Sequence, residues 1–184
     1  TIRDCVAFPE IVANVCPAYC EGACVRAQID EAVQIKKIEQ SCISLATRKD
    51  PNAYNLPSRD TNVAVIGGGI SGMAFALKMA SRKCNVTVFE KSPQIGGRLS
   101  EVMDEADYLA DFELQFKHEK YELRLNTEAS VDAGTGIVTV HEMAADPAEY
   151  EALHFDVVYI ATGAGGESFG VNDCVKAGST GIFA

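Results

Sequence analysis

The segment Val63-Ala64-Val65-Ile66-Gly67-Gly68-Gly69-Ile70-Ser71-Gly72 constrains the fold more than any other stretch of the 184 residues. An apolar run ends in glycines spaced G-x-G-x-x-G, and Ile70, Met73, Ala74 and Leu77 then recur at helical spacing. Strand, glycine turn and helix in that order open a parallel α/β domain. Gly67 permits the tight turn. Gly69 removes a side chain where a pyrophosphate must approach, and Gly72 lets the helix pack closely on the sheet. Ser71 lies in the first helical turn, where free N–H groups and the helix dipole favour an anion. Such a fingerprint alone is weak, but here both flanks agree with it.

A second strand over Asn85 to Glu90 ends in a carboxylate about 20 residues beyond the glycines. A carboxylate at that place accepts hydrogen bonds from ribose hydroxyls and repels a 2′-phosphate, so the site favours FAD or NAD over NADP. The plain alternative is a glycine turn in an α/β domain that holds nothing. In Glu90-Lys91-Ser92-Pro93-Gln94-Ile95-Gly96-Gly97-Arg98-Leu99, a Gly-Gly pair follows the acid. This resembles the segment of FAD-binding flavoproteins that passes the pyrophosphate from its other side. Ala161-Thr162-Gly163, after the apolar strand Phe155 to Ile160, is similar to the ATG motif of the same proteins.

Composition removes several classes. A formal net charge of −10 gives no electrostatic reason to bind nucleic acid. No apolar stretch is long enough to cross a bilayer, and Thr1-Ile2-Arg3-Asp4 does not begin a signal peptide. The absent initiator Met points to a trimmed or processed chain. Seven cysteines without a secretory signal imply reduced thiols and the cytoplasm. Cys42, Cys84 and Cys174 are scattered and read as small buried apolar residues. Cys16, Cys20 and Cys24 have C-x3-C-x3-C spacing, a set of thiolates that suits a soft metal or an iron–sulfur cluster. His118, His141 and His154 show no paired spacing and read as surface or packing residues.

Three regions follow: a cysteine-rich helical lobe over 1–50, a turn-rich linker over 51–60, and a Rossmann-like domain over 61–184 that is incomplete at its C-terminus. In the lobe, Pro17 and Gly22 keep the cysteine segment irregular, and the spacing of Ile35, Ile38, Glu39, Cys42 and Leu45 predicts a helix over Val33 to Thr47. Further on, a helix is expected over Phe112 to Glu119, and strands over Tyr121 to Asn126 and Ile137 to His141, the latter after a Gly134-Thr135-Gly136 turn.

The stretch from Phe8-Pro9-Glu10 through Cys16-Pro17-Ala18-Tyr19-Cys20-Glu21-Gly22-Ala23-Cys24, then Val33-Gln34-Ile35-Lys36-Lys37-Ile38-Glu39, resembles the small subunit of bacterial glutamate synthase. It is also similar to the N-terminal region of dihydropyrimidine dehydrogenase. The linker and FAD fingerprint follow in the family's order. The resemblance is weakest between Ser100 and Lys120, where Ser100-Glu101-Val102-Met103-Asp104-Glu105 replaces a Tyr-Gly-Ile-Pro-like segment.

The resemblance implies an α/β fold: a parallel sheet with helices and a small β-meander, preceded by a partial iron–sulfur lobe. It implies FAD as cofactor, bound by Gly67, Gly69, Ser71, Gly72, Glu90, Lys91, Gly97, Arg98, Ala129, Ala161, Thr162 and Gly163, with adenine near Thr127 to Val131. It implies [4Fe-4S] clusters in a longer parent, Cys16 and Cys20 serving one and Cys24 the other, and Glu39 a non-cysteine ligand. In that scheme the remaining cluster ligands lie upstream, an NAD(P)H-binding region is inserted or follows, and a partner subunit takes the electrons. Gly181-Ile182-Phe183-Ala184 resembles a strand returning to complete the FAD domain. The expected activity is electron transfer among NAD(P)H, FAD and clusters, with this chain alone inactive and without iron. An NAD-binding dehydrogenase module and a non-catalytic interaction domain are the alternatives. No catalytic residue is visible.

Overall fold

The computed structural model describes residues 5–47, 50–132, 135–143, 149–163 and 182–183. Cys174, Gly134, Gly181 and Ala184, and any insertion between Gly163 and Gly181, lie outside the described residues. The chain forms two compact units, Thr1–Ala53 with Ser100–Lys117, and Tyr54–Leu99 with His118–Ala184.

The first unit contains α1 (Pro9–Val15), α2 (Tyr19–Gly22), a 3-10 turn (Val25–Gln28) and α3 (Ile35–Ser44). Proline suits the start of α1 because its missing N–H would be unpaired there anyway. The Glu21 carboxylate accepts the Lys36 amide at 3.1 Å and so caps the first turn of α3 from a distant segment.

The second unit begins with β1 (Asn62–Ile66), α4 (Ile70–Ser81) and β2 (Asn85–Phe89). The β-branched runs of β1 and β2 suit strands covered on both faces. α4 ends in a Schellman turn: Lys83 takes φ +64°, its amide bonds Ala80, and the Cys84 amide bonds Met79.

The chain then contributes α5 (Glu105–Gln115) to the first unit. Tyr108, Asp111, Phe112 and Gln115 are its buried residues, at i, i+3, i+4 and i+7. Phe8 meets Phe112 edge-on at 4.7 Å and Phe116 at 6.4 Å between ring centroids. Asp111, 2% exposed, accepts the Ile11 amide at 3.0 Å and the Gln115 amide at 3.1 Å. Burial pushes the Asp111 carboxyl up from its ordinary pKa, against those two hydrogen bonds.

The second unit continues with β3 (Glu122–Arg124), β4 (Thr127–Val131), β5 (Ile137–Glu142), β6 (Glu151–His154), β7 (Val157–Ile160) and β8 (Ile182–Phe183). Its parallel sheet has the order β3-β2-β1-β7-β8, and β4-β5-β6 form a separate antiparallel sheet. Ala64, Ile66, Phe89 and Val158 pack with Val138 and Val140 of the small sheet. By alternation Val63 and Val65 turn to the opposite face, where α4 lies. Arg124 joins the two sheets, bonding Glu151 at 2.9 Å and Glu142 at 3.1 Å with its guanidinium 5.6 Å from the Phe89 ring centroid.

Several expectations change. The cysteine segment is not wholly irregular: Tyr19–Gly22 form a short helix, and a 3-10 turn follows Cys24. The helix expected over Phe112 to Glu119 starts seven residues earlier, behind Asp104 and with Glu105 and Asp107 in its first turn, where acids suit the dipole. The strand expected over Tyr121 to Asn126 stops at Arg124, because Asn126 takes φ +51° and turns the chain into β4. β6 was not anticipated. Cys84 is buried as expected, but Cys42 is exposed, since α3 turns Ile43 inward instead.

Candidate cofactor-binding site

Strand β1 has β2 on one side and β7 on the other, so the chain direction of the connections switches at its carboxyl end. In open α/β sheets ligands bind in the crevice at such a point. The glycine loop begins there. Gly67 takes φ +107°, and a Cβ on it would fall on the Ala161 carbonyl. A Cβ on Gly72 would fall on the Gly67 carbonyl, and stand 3.2 Å from Val65. A Cβ on Gly69, the residue that caps α4, would meet nothing within 4 Å. Two glycines thus serve the fold, and the third leaves open space before the α4 amides. That is the division of labour a pyrophosphate requires.

Glu90 follows β2 and is 9% exposed. Its Oε2 accepts the Gly68 amide at 2.5 Å, and its Oε1 accepts the Ser92 amide at 2.8 Å. Each carboxylate oxygen keeps a further lone pair for ribose hydroxyls. Gly68 has no room for a side chain either, because its Cβ would stand 2.9 Å from Ile95 and 3.0 Å from the Glu90 carboxylate. The second glycine pair lies against the first loop. The Gly96 amide bonds the Gly68 carbonyl at 2.9 Å, and Gly69 and Gly96 form a parallel bridge. Gly97, at φ +55°, follows in the same approach, and Arg98 is exposed beside it. On the other flank the Ala161 amide bonds the Ile66 carbonyl at 2.7 Å, and Thr162 and Gly163 continue exposed. The three motifs read from the sequence therefore converge on one loop.

Ala129 sits in β4, an edge strand of the small sheet. The Thr127 amide points away from β5 to the Glu90 carbonyl at 2.9 Å. By two-residue periodicity the Ala129 N–H and C=O turn to the same edge, as recognition of a flat base by backbone requires. Lys91 reaches the carboxylate of Glu128 at 2.8 Å. The Ser71 hydroxyl lies 2.9 Å from that of Tyr159, whose ring stacks on Phe75 at 4.1 Å. Gly68, Ile95, Glu128 and Tyr159 were not foreseen. The run of three glycines signals Gly68; Ile95 and Glu128 lie inside stretches already singled out, and Tyr159 joins the loop only in space.

The cysteines behave differently. Cys16 closes α1, Cys20 lies exposed on α2, and Cys24 precedes the 3-10 turn. Amides of Val33, Arg26 and Ala27 hold the Cys24 thiol below its usual pKa. Glu39 is half-buried on α3. Among the described residues, no three His, Cys, Asp or Glu side chains gather as a metal-holding group. Cys16, Cys20, Cys24 and Glu39 are accordingly not gathered into one such group among the described residues.

A family model described as an NAD(P)-binding Rossmann-like domain matches residues 65–124. Another, described as dihydropyrimidine dehydrogenase domain II with a 4Fe-4S cluster, matches residues 1–51. The glutamate synthase [NADPH] small chain of Bacillus subtilis is 31% identical over 159 residues, covering 85% of this chain and 30% of the relative. That of Mycobacterium tuberculosis is 33% identical over 160 residues, with 85% and 31% covered. Over most of its length the chain is thus similar to glutamate synthase small chains. It spans under a third of the length of those relatives. Among solved structures, the thioredoxin reductase of T. acidophilum superposes with a TM-score of 0.42 at 22% identity, covering 58% of this chain and 32% of that chain. No helix among the described residues is long and apolar enough to cross a membrane.

Proposed function

We propose that this chain supplies the adenosine and pyrophosphate half of an FAD site in a cytoplasmic, flavin-dependent NAD(P)H oxidoreductase of the glutamate synthase small-chain type. The observation that carries the reading is the packing of Gly96 on Gly68, with Glu90 bonded to both loops. A second glycine segment against the first is what distinguishes this loop from a simple NAD fingerprint. The pyrophosphate sits over Gly67 to Gly72 at the α4 N-terminus, the ribose hydroxyls donate to Glu90, and adenine lies along the Thr127–Val131 edge. Lys91 and Arg98 flank the ribose and pyrophosphate, and Ala161 to Gly163 wall the far side. The flavin, when bound, accepts hydride from a reduced nicotinamide and releases electrons one at a time. This chain's own residues bind and orient it, and none is assigned a proton-transfer role.

In the whole protein, Cys16, Cys20, Cys24 and Glu39 serve iron–sulfur clusters together with ligands from outside these 184 residues. A nicotinamide-binding region and a partner that accepts the electrons are also supplied from outside. Titration of the purified chain with FAD and with NAD tests the reading. Tighter binding of FAD, displaced by ADP, is the expected result. NAD binding that FAD does not displace would favour the dehydrogenase-module alternative.

A further inference from the structure

The reading above places Lys91 beside the ribose but gives no role to its contact with Glu128. Lys91 directly follows Glu90. Glu128 directly follows Thr127, whose amide bonds the Glu90 carbonyl, so the two side chains meet across the Glu90–Thr127 junction at 2.8 Å. Both are more than half exposed, at 62% and 52%, and pairs so placed contribute little to fold stability. Their effect is on what approaches Glu90.

We propose that Glu128, by holding the Lys91 ammonium, makes the adenosine end of this site refuse a 2′-phosphorylated nucleotide. The proposal rests on the FAD reading of the site. A lysine one residue beyond the ribose-binding carboxylate is a mobile point charge that could turn to a 2′-phosphate and offset the repulsion from Glu90. Paired with Glu128, it offers no net charge, so the phosphate meets the Glu90 carboxylate with nothing to offset it. Phosphate binding would have to break the pair and leave Glu128 unneutralised. FAD and a phosphorylated nicotinamide nucleotide share adenosine and pyrophosphate and differ at this hydroxyl. In an oxidoreductase that uses NADPH, the pair would keep the reductant out of the flavin's place.

Two ligands that differ only in that group, ADP-ribose and 2′-phospho-ADP-ribose, test the proposal by calorimetric titration of the full chain. One unit charge at about 4 Å in water is worth roughly a fivefold change in affinity. Glu128→Gln takes the pair from no net charge to one positive charge, so the affinity ratio should shift toward the phosphorylated ligand by about fivefold. That gain should fall away in the double variant Lys91→Gln/Glu128→Gln, and shrink at about 1 M salt, where the Debye length is about 3 Å. Lys91→Gln alone leaves the Glu128 carboxylate unneutralised, so the ratio should shift away from the phosphorylated ligand by about fivefold. An unchanged ratio in Glu128→Gln, or a gain that survives in the double variant, would overturn the proposal while ADP-ribose binding leaves the FAD reading standing. Failure of the unaltered chain to bind either ligand, or FAD, would remove both the reading and the inference.

Discussion

At Glu90 a single carboxylate ties the two glycine segments together through Gly68 and Ser92 while keeping lone pairs toward the crevice. Glu90→Ala leaves those amides without their acceptor and takes the ribose hydroxyls' partner away. FAD or ADP affinity should fall by about 1–3 kcal/mol, measured by titration, and an unchanged affinity would disprove the assignment. Asp111 has a different signature. Its folded pKa is raised by burial, so the folded chain holds that proton to higher pH than the unfolded chain does. Its contribution to stability is therefore most favourable below the ordinary carboxylate pKa and declines as pH rises through that value toward the raised one. Asp111→Asn retains an acceptor for Ile11 and should flatten this decline in denaturant unfolding measured between pH 3 and 7. Asp111→Ala leaves the Ile11 amide unpaired and should destabilise the chain by about 1–3 kcal/mol.

The glycine loop separates two kinds of glycine, and substitution should tell them apart. Gly67→Ala meets both φ +107° and the Ala161 carbonyl, so it should lower fold stability by at least about 1–3 kcal/mol. Gly69→Ala meets open space, so the melting temperature should hardly move while FAD affinity drops, because the methyl occupies the pyrophosphate's approach. If both variants melt alike, the division is wrong. The elements carrying this loop were legible because their signals are local. β1 runs from Asn62 to Ile66 as expected, and β2 ends one residue before Glu90. The elements that were misread depend on distant partners. β6, Glu-Ala-Leu-His, has no β-branched or aromatic residue and is a strand by pairing with β5, and α5 owes its inward face to Phe8 and Ile11, about 100 residues away. The exposed face of α3 is a similar case: helical spacing identifies a stripe, but Ile35, Ile38 and Leu45 are outward and Ile43 is buried. Spacing alone does not say which of two apolar faces a neighbour will cover.

Across the whole molecule, one glycine fingerprint serves one dinucleotide, and hydride transfer to FAD needs a second nucleotide site. Stopped-flow mixing of the FAD-loaded chain with NADPH should therefore show no fast bleaching of the flavin band, and rapid bleaching would refute that expectation. The division into units predicts how the chain tolerates cutting. A chain beginning at Tyr54 would retain Tyr108, Phe112 and Phe116 but lose Phe8 and Ile11, which cover them. Such a chain should bind a hydrophobic dye and elute as aggregate, despite starting at a turn-rich linker. Clean monomeric elution without dye binding would show that α5 finds other cover.

The same connectivity affects how the chain is made. The first unit takes α5 from a segment that follows β1, α4 and β2 in order of synthesis. At about 5–20 residues per second, the roughly 60 residues between Ala53 and Lys117 take several seconds to translate. During that interval Phe8 and Ile11 have emerged without the aromatic face that will bury them. The unit that holds Phe8 and Ile11 is thus not free to close before β1, α4 and β2 have been made, and its nascent apolar face is where a chaperone would act.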